Sequence, residues 1–258
     1  MSAERRADKM RIVDEGLRYA VASCHVERPL DDAVWRAFVR LLERKPGGLT
    51  VTPLIRPPAE AAGEREDVWL DRAREAASIA PLGHHTHWGG PTQARPKGVV
   101  DAAATVRAEA EWLRGRGLAP GFFCGGGWYI DAPVAGVLAE HGYVDCTATT
   151  FRQPYLVESA PRLQLAGPTR LRLPGGASLL SLPATHSAGM LARGLARLPP
   201  GVHVHFHDWE LVQRGRGAAI VALLRVLGRR REPLTVAELA ARAAAAPEAT
   251  WEEVTIGG

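Results

Sequence analysis

The chain has 258 residues, 46% hydrophobic and 23% charged, proportions ordinary for a soluble globular protein that exclude disorder of the whole chain. Its 32 basic residues exceed its 28 acidic ones by only 4, too little for a nucleic-acid surface. The one dense basic run, Arg229 to Arg231, closes an apolar helical pattern, where cations complement the helix dipole.

Short apolar runs alternate with helical periodicity along the chain. Arg18 to Val26 reads as a strand. Asp31 and Asp32 offer capping chemistry for a helix through about Arg44, with an apolar stripe of Val34, Trp35, Phe38, Val39, Leu41 and Leu42. Pro46, Gly47 and Gly48 stop it. Leu49 to Ile55 is the second strand, Asp67 to Ser78 the second helix, and Ile79 to His87 the third strand. Val99 to Arg116 is a long amphipathic helix closed by Gly117. Gly121 to Cys124 is strand-like, Asp131 to His141 helical, and Tyr143 to Thr149 strand-like again.

Phe151 to Leu182 reads as irregular β hairpins, with a turn at Pro174, Gly175 and Gly176. Met190 to Leu198 is a helix, Val202 to His207 a strand, Ala218 to Arg230 a helix, and Leu234 to Ala246 the last helix, with Thr235 as its cap. Serial βα units imply a parallel sheet with helices outside. No linker divides the chain, so residues 1–258 are expected to form one distorted (β/α) barrel of about seven βα units, its core over about 18–246. The alternative is a doubly wound open sheet, but no Gly-x-Gly-x-x-Gly follows the first strand.

The three cysteines, Cys24, Cys124 and Cys146, are too few and odd for a disulfide framework and suit a reducing compartment. No signal core follows the charged N-terminus, and no apolar run reaches the length of a membrane span. A cytoplasmic protein is expected, with no nucleic-acid or membrane partner.

Seven of the nine histidines cluster at strand ends: His25 before Glu27; His84, His85 and His87; His203, His205 and His207. Residues two apart on a strand share a face, so His25 with Glu27, His85 with His87, and His205 with His207 can each aim two groups one way. His84 has the other parity. Barrel active sites lie at the C-terminal ends of strands. Imidazoles and a carboxylate converging there are what a divalent metal such as zinc needs. His141 reads as a helix C-terminal cap, and His186 stays undecided.

Three segments together resemble the polysaccharide deacetylases, the chitin-deacetylase-like, NodB-homology family. Leu82 to His87 is similar to the second motif, His-(Ser/Thr)-x-x-His. Gly121 to Asp131, followed by Glu140 to Asp145, resembles the third-motif region. Val204 to Leu211 resembles the late motif, where a His assists the leaving group. Several positions depart from the pattern. Ser23 to Glu27 stands where the family has two adjacent Asp. Gly89 stands where its second metal His falls, Cys124 where it has Arg, and Gly126 where it has Pro.

The resemblance implies a metal-dependent deacetylase of an N-acetylated sugar or sugar conjugate, taking a small-molecule or oligosaccharide substrate. It implies Glu27, His85 and His87 as ligands of a divalent metal, zinc by expectation, and His207 as the acid for the departing amine. The carboxylate Glu27 can also act in catalysis, and His25 or Asp31 as base or extra ligand. Trp88, Trp128 and Trp209 each neighbour a motif, and aromatic faces at a site mouth suit a sugar ring. The alternatives are a catalytically silent barrel binding a sugar or metal, and another metal-dependent amidohydrolase.

Overall fold

The computed structural model describes residues 18–97, 101–152 and 161–256. Strand β1 (Tyr19–Val26) is buried along its whole length, as befits a strand covered on both faces. Alternation then sorts its side chains. Ala20, Ala22, Cys24 and Val26 pack outward into a cluster shared with the helices, whereas Tyr19 and Val21 belong to an inner cluster. Ser23 and His25 continue the inner row.

β2 (Val51–Ile55) flanks β1 in parallel, β3 (Gly83–Thr86) flanks β2, β4 (Phe122–Gly125) flanks β3, and β5 (Val144–Asp145) flanks β4. β6 (Arg162–Leu163) lies outside this series, pairing near the C-terminus. β7 (Thr169–Arg172) and β8 (Ser178–Ser181) form an antiparallel hairpin, within the region expected to hold hairpins; residues 153–160 of that region lie outside the described residues. β8 pairs in parallel with β5. β9 (His186–Ser187) pairs in parallel with β10 (Val202–His207), which returns to the other side of β1.

The link from β8 to β9 closes the ring. The amides of Leu182 and Ala184 donate to the carbonyls of Asp145 and Ala148, on the β5 side. The amide of Thr185 donates to His203 O, on the β10 side. One segment is therefore the neighbour of both walls, and seven parallel staves (β1 to β5, the β8–β9 segment and β10) make a distorted (β/α) barrel. The open doubly wound sheet does not form.

Helices wrap the outside: α1 (Asp32–Arg44), α2 (Glu66–Ile79), α3 (Ala102–Gly115), α4 (Ala132–Glu140), α5 (Ala188–Gly194) and α6 (Arg216–Arg230). A short strand, β11 (Glu232–Pro233), leads into α7 (Val236–Arg242), which carries a Thr235–Glu238 capping box. Leu234, Val236 and Leu239 pack with Tyr19 and Val21 and plug the N-terminal end of the barrel. β12 (Glu248–Thr250), α8 (Trp251–Val254) and β13 (Thr255–Ile256) finish the chain. Among the described residues no helix is long and apolar enough to cross a membrane.

Several boundaries differ from expectation. α2 runs on through Ile79, so the third strand is only Gly83–Thr86. α5 starts at Ala188 because Ser187 caps it, its hydroxyl accepting from Met190 N, and it ends at Gly194. The start expected for α3, Val99, lies outside the described residues, and Asp101 caps the observed helix. α6 crosses the turn at Gly47 backbone to backbone: a Cβ on Gly228 would sit 1.9 Å from Gly47 O.

The expected catalytic candidate Asp31 is corrected here. It is exposed, and its carboxylate accepts from Ala33 N and Val34 N as the α1 N-cap. Asp31→Ala is expected to cost about 1 kcal/mol of stability, a fall of roughly 2–4 °C in Tm for a chain of this size, with activity and metal binding unchanged. Thermal denaturation beside an activity assay checks both.

Candidate active site

Alternation carries the inner rows of β1, β3, β4 and β10 to one end of the barrel. His25 and Glu27 come from β1 and its end, His85 and His87 from β3 and its end, Cys124 from β4, and His205 and His207 from β10. Most of them border a cavity of about 180 Å³, walled also by Trp128 and Arg95. The neighbouring outward residues serve the shell. His84 Nε2 bonds Glu109 and its Nδ1 meets Tyr143 Oη at 3.3 Å.

Two imidazoles are fixed as Nδ1–H tautomers. His85 Nδ1 donates to Cys124 O at 2.7 Å, and His87 Nδ1 donates to Pro91 O at 3.0 Å. Their Nε2 lone pairs are buried without a hydrogen-bond partner and face Glu27 Oε1 at 4.0 and 3.4 Å. Glu27, His85 and His87 each offer a donor atom, and the three lie within 4.8 Å of one another. A carbonyl behind each ring and a carboxylate in front is the donor set of a divalent-metal site. The buried, partnerless nitrogens show that the residues present fit such an ion.

The other oxygen of Glu27 is occupied. Trp209 Nε1 donates to Oε2 at 3.1 Å, and Arg56 holds the backbone carbonyl of Glu27 at 3.2 Å. Arg56 is itself buried and paired with Glu64. Burial opposes charge on Glu27, but the close approach of His87 and the charges of the neighbouring imidazoles outweigh it and hold the carboxyl down at about 2. His85 is pushed down to about 3, chiefly by burial and then by His87, so its ring is neutral at pH 7 and its lone pair is free.

His207 has the opposite bias. Burial disfavours its charge, but its bond to Glu210 and the carboxylates of Glu27, Glu210 and Asp208 raise it above the ordinary value. Its Nδ1 donates to Glu210 Oε1 at 3.1 Å and its Nε2 stands 3.6 Å from Glu27 Oε1. Arg216 Nε secures the far oxygen of Glu210 at 2.9 Å. Asp208 is fully buried, pushed up to about 6 by that burial, and bonded to the amides of Arg28 and Trp209. It shapes the turn behind His207.

His25 stacks between His85, at 4.6 Å, and His205, at 5.5 Å. Both His25 and His205 are held well below the ordinary imidazole value by burial first and by neighbouring rings second. Deeper in the barrel, His203 bonds Ser23 Oγ at 2.9 Å. Burial pushes it down from 6.5 to about 4. Over that window the unfolded chain binds a proton that the folded chain refuses. The stability from His203 is therefore complete above about pH 6.5 and is lost as pH falls toward 4, about 3 kcal/mol in all. Urea unfolding across that range is expected to show a shallower acid slope in His203→Gln, by about one proton; an unchanged slope would remove His203 from the acid response.

Of the three tryptophans expected to face a sugar, only Trp128 walls the cavity, edge-on to His205 at 4.7 Å and with φ 63. Left-handed backbone at a non-glycine residue is uncommon and is held by its surroundings. Trp209 braces Glu27 and stacks on His207 at 5.4 Å. Trp88 is corrected: it is buried in the core, its indole bonded to Gly126 O and packed on Tyr129. The fit is tight there, since a Cβ on Gly126 would sit 2.5 Å from Thr86 O.

The inward thiol of Cys124 escaped the sequence reading, although its parity with Phe122 on β4 signals it. The bracing by Trp209 and Arg56 has no sequence signal. A cavity of about 270 Å³ among Arg18, Arg197, Arg230 and Arg231 lies at the start of β1. Arg230 and Arg231 are occupied with the carbonyls of Leu195, Leu198 and Pro199.

No protein-family model matches the chain, and no curated protein matches it in sequence. Solved structures do match. A 4-alpha-glucanotransferase from Thermococcus litoralis is similar at 15% identity and TM-score 0.54, over 87% of this chain and 40% of that one. The chain thus spans well under half the length of that enzyme. A mutant of BA3943, a CE4 family pseudoenzyme with restored enzymatic activity, is similar at 8% identity and TM-score 0.51, over 87% of this chain and 68% of that one. At these identities the likeness is one of fold.

Proposed function

We propose that this chain is a metal-dependent hydrolase that removes an acetyl group from an N-acetylated sugar or sugar conjugate. The observation that carries the reading is the pair of buried, partnerless Nε2 atoms of His85 and His87 facing one oxygen of Glu27, with His207 beside the same oxygen. The three-motif resemblance supplies the reaction class, and the barrel fold is compatible with it.

Glu27, His85 and His87 hold the ion. A divalent cation held there would supply Lewis acidity, polarising the amide carbonyl and acidifying water. Trp209 keeps Glu27 Oε2 engaged, so Oε1 faces the imidazoles. His207, charged through Glu210 and steadied by Arg216, gives its Nε2 proton to the departing amine nitrogen. His25 borders the cavity as a neutral ring and takes the proton from water. Trp128 offers an aromatic wall for the sugar.

One observation favours a second reading, a silent barrel that binds metal or sugar. Among the described residues, the carboxylate bordering the cavity is Glu27 alone, so the base falls to a weakly basic histidine. Metal analysis of the purified chain with an acetate-release assay on N-acetylglucosamine and its oligomers separates the readings. Bound metal with acetate release supports the deacetylase. Bound metal without release from any N-acetyl sugar favours the silent barrel or another amide hydrolase.

A further inference from the structure

Behind the Glu27 set stands a second group of donors that the proposed reaction does not use as ligands. Cys124 Sγ lies 3.5 Å from His25 Nε2, both fully inside the barrel. With His85 they form a set of donor atoms all within 4.8 Å of one another. From Zn–S of about 2.3 Å and Zn–N of about 2.0–2.1 Å, two ligands at the tetrahedral angle stand about 3.5 Å apart. The sulfur and nitrogen already have that spacing.

We propose that His25, His85 and Cys124 form an inner, sulfur-bearing metal seat that shares His85 with the outer set of Glu27 and His87, so that the chain holds one ion in one seat or the other. The Nδ1 of His85 is committed to Cys124 O, which leaves only Nε2 for an ion. The two seats therefore exclude each other. The outer one offers a carboxylate and suits ions that accept oxygen, such as manganese. The inner one offers a thiolate and selects thiophilic ions such as cobalt, zinc or cadmium. Binding there releases the thiol proton to solvent. It also takes the lone pair of His25, the proposed base. A thiophilic ion in the inner seat thus switches the proposed deacetylase off while leaving the fold loaded with metal.

The inference rests on the outer-site reading only for that last consequence, and each is read by its own probe. The inner seat is tested by cobalt(II) titration of the whole chain, followed in the near ultraviolet. A thiolate-to-cobalt charge-transfer band is expected, saturating at one ion per chain and surviving in Glu27→Gln. The band should vanish in Cys124→Ser and in Cys124→Ala, where any cobalt that still binds does so in the outer seat without a thiolate. The proposal is overturned if wild-type protein binds no cobalt, or binds it without the band. It is equally overturned if the band persists without Cys124 and so belongs to Cys24 or Cys146. The outer seat is read separately by manganese(II) binding, expected to be lost in Glu27→Gln and kept in Cys124→Ser. Loss of manganese binding by wild type would sink the outer reading without touching the cobalt result.

Discussion

His85→Ala is expected to lower divalent-metal affinity by at least about 100-fold and to abolish turnover. Removing a direct ligand should cost no less than removing an outer-sphere partner, which reaches about 100-fold. His85 belongs to both donor sets, so no second seat rescues the variant. The loss is readable without a substrate. Metal at about 1,000 times Kd stabilises the wild-type fold by about 4 kcal/mol, and the same concentration would give the variant only about 1.4 kcal/mol. A metal-dependent shift in Tm measures that difference. His84→Ala is the control. His84 bonds Glu109, Thr86 and Tyr143, so its loss should lower stability through unpaired groups and leave metal affinity intact. Equal losses of metal from both variants would show that strand parity does not assign the ligands.

His207→Asn is expected to reduce turnover by about 10² to 10⁴, the usual range for general acid–base help, while the metal stays bound. The acid must be charged when the amine leaves. Glu210 and Glu27 raise His207 toward that state, and the Glu210–Arg216 pair fixes its Nδ1 side. Asparagine keeps hydrogen bonding but cannot deliver a proton. The check is kcat on an acetylated sugar, with metal content measured in parallel. Near-normal turnover would remove His207 from the mechanism. Loss of metal together with activity would make His207 a ligand, as its 3.6 Å approach to Glu27 Oε1 allows.

The barrel was legible because local periodicity and global architecture agree. Strands such as Tyr19–Val26 and Val202–His207 are continuous buried runs bounded by turn residues, and α1 displays its cap, its apolar stripe and its stop in sequence. The strand ends holding histidine were legible for the same reason, since a period of two fixes which of His84 and His85 turns inward. What the chain does not announce are contacts set by tertiary approach. Trp209 lies 182 residues from the carboxylate it braces, and Arg56 anchors Glu27 from β2's far end. Asp31 and Trp88 show the reverse case. Each neighbours a motif in sequence, yet a helix terminus claims one and a backbone carbonyl in the core claims the other. The closing segment beyond Leu182 was not read as a strand, because its strands are two to four residues long and its bonds alternate between two partners.

That closing segment makes the barrel a hoop with a clasp. Every other stave is paired with a strand beside it in the sheet. The stretch from Leu182 to Thr185 must find Asp145 and Ala148 on one side and His203 on the other, and these walls face each other only when the curvature is complete. Order there reports on the whole circumference rather than on any one pairing. The histidines of β10 and those of β3 come from opposite arms of that hoop. The roundness that brings them to a common carboxylate is therefore fastened at a point in the wall where no donor of the cluster resides.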